Sequence, residues 1–130
     1  MKTFFFKKLV RDKVLERCIA DEKVKTFYWT LSDEEYQTEL IAKLHEEIDE
    51  AAVAVDAKEM LAEIADVQEV LDALAGLYGF TKTDINAAQD SKRQKNGAFN
   101  ERAYIEKVEL DDDSEWVEIL RAQPDKYKEA

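Results

Sequence analysis

Two stretches of this chain repeat their apolar residues at helical spacing, and both carry carboxylates where the apolar stripe runs. From Tyr36 onward the first sets Leu40, Leu44, Ile48 and Ala51 or Ala52 on one face, with Val55 one turn further. The second sets Met60, Ile64, Val67, Val70 or Leu71, Leu74, and Leu77 or Tyr78 in the same way. A period of three to four residues is that of an amphipathic helix facing a core. Ser32 precedes the first helix and Glu35 stands three residues on, which predicts a capping box. Asp56-Ala57 is the expected turn between the two helices, and so short a link forces antiparallel neighbours. Gly79 suits the C-terminal cap of the second.

The flanking segments are less regular. Residues 9–20 read as a helix, with Val10, Val14 and Cys18 in line, or Leu15 and Ile19 beside them. Residues 23–31 are β-branched and aromatic and predict an extended or strand-like segment. A further helix is expected from Thr81 or Thr83 to Lys95, ended by Asn96-Gly97. Residues 104–110 alternate loosely and could pair with 23–31 as a second strand. A last helix capped by Asp113 or Ser114 should run to Ala122, with Pro124 stopping it. No linker or repeat interrupts the chain. The expected fold is a single, mainly α domain over residues 1–130, an antiparallel helical bundle with a minor β element.

The acids on the two central helices are the candidate chemistry. Glu47 and Glu50 are one turn apart beside Ile48 and Ala51, and Glu63 and Asp66 stand four residues before Val67 and Val70. A lone carboxylate in an apolar setting is costly and tends to protonate. Several converging between two helices call for a divalent cation. Mg²⁺ takes oxygen ligands in octahedral geometry and keeps sites for water and phosphate oxygens. Against this stands the high charge content, 38% Asp, Glu, Lys and Arg, which makes a solvated acidic face the usual meaning of one such pair.

Composition narrows the classes. The 130 residues are 45% hydrophobic, enough for a globular domain. No apolar run approaches the roughly 20 residues of a membrane span. Phe4-Phe5-Phe6 is too short for a signal-peptide core, so the cytosol is the expected compartment. Cys18 is the sole cysteine, which leaves no internal disulfide and no zinc cluster. A net charge of -11 argues against nucleic-acid or membrane partners. Cations gather before Lys25 and again at Lys92, Arg93, Lys95 and Arg102. Ile41, Leu61 and Ala65 leave a second side of each central helix apolar, which predicts a homodimer or higher homo-oligomer built from two hairpins.

These residues resemble a known family. Glu46-Glu47-x-x-Glu50 followed, after twelve residues, by Glu63-x-x-Asp66 is similar to the EExxE and ExxD signature of the MazG-like, all-α nucleoside triphosphate pyrophosphohydrolases. KLVRDKV (8–14), EIADVQEVLDALA (63–75) and KRQKNGAF (92–99) look like segments of its phosphoribosyl-ATP pyrophosphohydrolase-like branch, and the C-terminal WVEILRAQPDKY also fits. The resemblance implies hydrolysis of a nucleotide substrate between the α and β phosphates, requiring Mg²⁺, with Mn²⁺ an alternative. It implies Glu47, Glu50, Glu63 and Asp66 as metal ligands and Glu46 as a further ligand or the group that orients the attacking water. Lys92, Arg93, Lys95, Arg11 and Lys13 are the expected holders of the phosphates. Where the family usually has Arg-Gly-Gly-Phe, this chain has Asn96-Gly97-Ala98-Phe99, which removes one phosphate contact and bears on substrate choice.

Two alternatives fit the same residues: a phosphoribosyl-ATP pyrophosphohydrolase, and a non-catalytic acidic helical protein that binds a partner. A di-iron centre is excluded because the only histidine, His45, has Ala42 three positions before it. Phe27, Tyr28 and Trp29 could stack a base, although packing in a core or dimer is the expected role. Asp49 is expected to face solvent.

Overall fold

A computed structural model describes residues 1–130. It contains five helices, α1 (Asp12–Ala20), α2 (Asp33–Ala52), α3 (Ala57–Leu77), α4 (Lys82–Asn96) and α5 (Trp116–Arg121). The chain separates into two compact units, Met1–Ser91 and Lys92–Ala130.

The first unit is organised on α2 and α3, its only helices in close backbone contact. Helix α2 starts at the expected capping box: Ser32 Oγ accepts from the Glu35 N–H at 3.2 Å, and Glu35 Oε1 accepts from the Ser32 N–H at 3.1 Å. Helix α3 is capped by Asp56, whose Oδ1 accepts from the Glu59 N–H at 2.8 Å. Only residues 53–56 lie between the helices, so they fold back as an antiparallel hairpin. Gly79 follows α3 with φ +77, the left-handed conformation that ends a helix most readily at glycine. Leu40 (2% exposed) and Val70 (7%) are the buried apolar residues, and Glu47 (6%) is the buried charged one. Two apolar residues make a thin core, and Ile48, Leu61 and Ile64 on the same hairpin are exposed.

The expected β element is corrected. Neither 23–31 nor 104–110 forms a strand, and neither carries a ladder of backbone hydrogen bonds. β-branched and aromatic composition favours a pleated surface only where a neighbouring strand supplies partners. Phe27, Tyr28 and Trp29 are accordingly exposed, with the Lys25 ammonium 5.2 Å from the Phe27 ring centre. Helix α1 begins at Asp12 rather than Leu9, because Arg11 keeps an extended backbone (φ -66, ψ 150). Helix α4 runs on to Gly97, which takes φ +79.

In the second unit, α5 is one short helix of 6 residues. Arg121 on it makes a two-pronged pair with Glu129, Nε to Oε2 at 2.8 Å and an η nitrogen to Oε1 at 2.7 Å. No helix of the chain is long and apolar enough to cross a membrane.

Candidate metal centre

The hairpin brings acids of α2 and α3 to one place. Glu47 and Glu50 lie one turn apart on α2, and the antiparallel return of α3 sets Glu63 against them. One carboxylate oxygen from each of the three lies within 4.8 Å of the others. Their environments differ: Glu47 is buried, Glu63 half-buried and Glu50 exposed, so the group opens to solvent on the Glu50 side.

Two oxygens in this group lack any hydrogen-bond partner. Glu47 Oε2 and Glu63 Oε2 are both buried and unpartnered. Native proteins rarely leave such atoms orphaned, because a desolvated acceptor without a donor carries a penalty. The consequence shows in the acidities. Burial pushes the Glu47 carboxyl above its usual range, and the Glu50 and Asp66 charges add to this while Lys43 opposes it. Burial also raises Glu63, reinforced by the charges of Glu50, Asp66 and Glu47.

Cations border the group on one side. Lys43 Nζ stands 3.3 Å from Glu47 Oε1 and 3.3 Å from Glu46 Oε2, as expected for residues three and four apart on a helix. Lys8 Nζ donates to Glu46 Oε1 at 2.9 Å, and that bond holds the Glu46 carboxyl below its ordinary range. Arg11 donates to Asp66 Oδ1 at 2.7 Å.

The expected site residues therefore fall into three sets. Glu47, Glu50 and Glu63 converge. Asp66 is near enough for its charge to raise Glu47 and Glu63, yet one of its oxygens is engaged by Arg11. Glu46 faces Lys8 and Lys43 rather than the three converging carboxylates. Of the expected phosphate-binding residues, Arg11 stands at the centre's edge, and Lys13 is exposed on the first turn of α1. Lys92, Arg93 and Lys95 are exposed on the last turns of α4, in the second unit. Sequence reasoning missed Lys8 and Lys43. The spacing of Lys43 to Glu46 and Glu47 could have revealed it, whereas Lys8 reaches Glu46 across 38 residues with no local signal.

The donor set fits a hard divalent ion. Three carboxylates supply oxygen only, with no imidazole or thiolate to favour zinc. The two orphaned oxygens are acceptors that a divalent cation would satisfy. Glu47, Glu50 and Glu63 could hold Mg²⁺ or Mn²⁺, leaving further positions for water and substrate oxygens. No protein-family model matches the chain, and no curated protein or solved structure matches it.

Proposed function

We propose that the chain is a Mg²⁺-dependent nucleoside triphosphate pyrophosphohydrolase of the MazG-like type, acting in nucleotide-pool house-cleaning. The observation that carries this reading is the convergence of Glu47, Glu50 and Glu63 with two of their oxygens buried and unpartnered. The EExxE and ExxD resemblance supplies the reaction. A bound Mg²⁺ or Mn²⁺ contributes charge neutralisation on the phosphates and lowers the pKa of water. The protein's own task is positioning. Glu47, Glu50 and Glu63 would hold the ion, and Glu46 or a neighbouring carboxylate orients water in line with the α-phosphorus. A water oxygen bonds to that phosphorus and the bridge to the β-phosphorus breaks. The monophosphate and pyrophosphate depart, and the water proton passes to a carboxylate or to solvent. No Ser, Cys or His nucleophile is required.

The reading includes a homodimer. Ile48, Leu61 and Ile64 on α2 and α3 are exposed, and a second hairpin covering apolar residues of this kind would turn a thin core into a four-helix one. The experiment is incubation with Mg²⁺ and a panel of standard and modified (deoxy)nucleoside triphosphates, following pyrophosphate release. Release from at least one member, abolished by chelation, is expected. Absence of release from every member overturns the proposal.

A further inference from the structure

A cavity of about 200 Å³ opens beside the carboxylates, between the N-terminal segment and α2. Three lysines line it, Lys7, Lys8 and Lys43, with two acids, Glu39 and Glu46, and with Leu9 and Ala42. The ammonium groups of Lys8 and Lys43 are joined by one anion. Glu46 Oε1 takes Lys8 at 2.9 Å and Glu46 Oε2 takes Lys43 at 3.3 Å. Lys43 also reaches Glu47 Oε1 at 3.3 Å, so the cavity is one side chain away from the proposed metal ligands.

We propose that Lys8 and Lys43 form a clamp for the pyrophosphate part of the substrate, and that Glu46 occupies this clamp as a resident anion which the phosphates displace. The inference rests on the pyrophosphohydrolase reading and deepens it. A phosphate group offers two neighbouring oxygens, as a carboxylate does, with more negative charge to set between two ammonium groups. Lysine binds phosphate as a compact point charge on a long stem, which suits a half-exposed position such as that of Lys8. The volume is below the roughly 300–1,000 Å³ of pockets that enclose a whole small ligand, which suits phosphate groups better than an entire nucleotide. Displacement also releases the Glu46 carboxylate from its two lysines, free to orient water.

The test uses the full chain and inorganic pyrophosphate in the presence of Mg²⁺, with binding read by calorimetry and Mn²⁺ binding measured separately. Lys8→Gln should weaken pyrophosphate binding by about two- to fivefold, the range of a half-exposed ion pair, and leave Mn²⁺ binding unchanged. Glu46→Gln should act with the opposite sign and tighten pyrophosphate binding, because the competing anion is gone. Wild-type pyrophosphate affinity in Lys8→Gln, or weaker binding in Glu46→Gln, overturns the clamp. If the wild-type chain binds Mn²⁺ and releases pyrophosphate from a nucleotide while both variants bind pyrophosphate as it does, the clamp alone fails. If the wild-type chain binds neither Mn²⁺ nor pyrophosphate, the clamp and the hydrolase reading fail together.

Discussion

Glu47 of α2 and Glu63 of α3 approach across the hairpin, each with Oε2 buried and unpartnered, and with one oxygen of each within 4.8 Å of the other and of Glu50. In water each carboxylate would be fully hydrated. Holding them together in the protein costs stability, which a bound divalent cation would offset.

The first expectation is therefore metal-dependent stability. Mg²⁺ or Mn²⁺ at a hundredfold excess over its Kd should stabilise the chain by about 2.7 kcal/mol, seen as a raised Tm in calorimetry. Glu63→Gln should be more stable than wild type under a chelator and should lose the metal response. Asp66→Asn should lose less of it, because Asp66 is engaged by Arg11. A Glu63→Gln variant with the wild-type metal shift would remove Glu63 from the site.

The pH dependence follows from the same pair. The folded-state pKa values of Glu47 and Glu63 lie above the ordinary 4.5 of a free glutamate. The stability they contribute is fully present below pH 4.5 and is lost as pH rises through the raised values. In the metal-free chain, wild type should thus lose stability relative to Glu63→Gln between pH 4.5 and neutrality, as read by denaturant midpoints. With Mg²⁺ the sign reverses, because the ion binds the deprotonated form.

The thin core predicts a sharp contrast between two leucines. Leu40 is 2% exposed, and Leu40→Ala should cost about 2–5 kcal/mol in denaturant unfolding. Leu61 is 69% exposed, and in an isolated chain Leu61→Asp should stay within about 0.5 kcal/mol. On the proposed dimer face the same change should halve the mass in light scattering. A wild-type chain that is already monomeric at micromolar concentration removes the dimer.

Helix α2 depends on its cap. Ser32→Ala removes the acceptor for the Glu35 N–H and should destabilise by about 1 kcal/mol, while Ser32→Asp should retain most of the stability. Urea titration followed by circular dichroism at 222 nm is the check.

What could be read from the sequence was local. The Ser32 to Glu35 box and the glycine ends at Gly79 and Gly97 each involve residues within a few positions and occur where the pattern places them, while the turn expected at Asp56-Ala57 falls at residues 53–56, with Ala57 already in α3. Of the four acids expected to meet, Glu47, Glu50 and Glu63 converge, because helical spacing and a short antiparallel return fix which faces meet, while Asp66 is engaged by Arg11. Strands at 23–31 and 104–110 were misread because a strand is defined by a partner that composition does not specify. The ion pairs Lys8–Glu46 and Arg11–Asp66 join residues 38 and 55 positions apart, and no periodicity anticipates such distances.

Those two pairs are also the hydrogen bonds that fasten the N-terminal segment to the hairpin. Both are partly exposed, so dissolved ions weaken them, and at 1 M salt the screening length falls to about 3 Å. Leu40 and Val70, held by apolar burial, do not share that sensitivity. Brine should consequently unlatch the front of the chain while leaving the hairpin folded, and a protease added then would nick it ahead of Asp33.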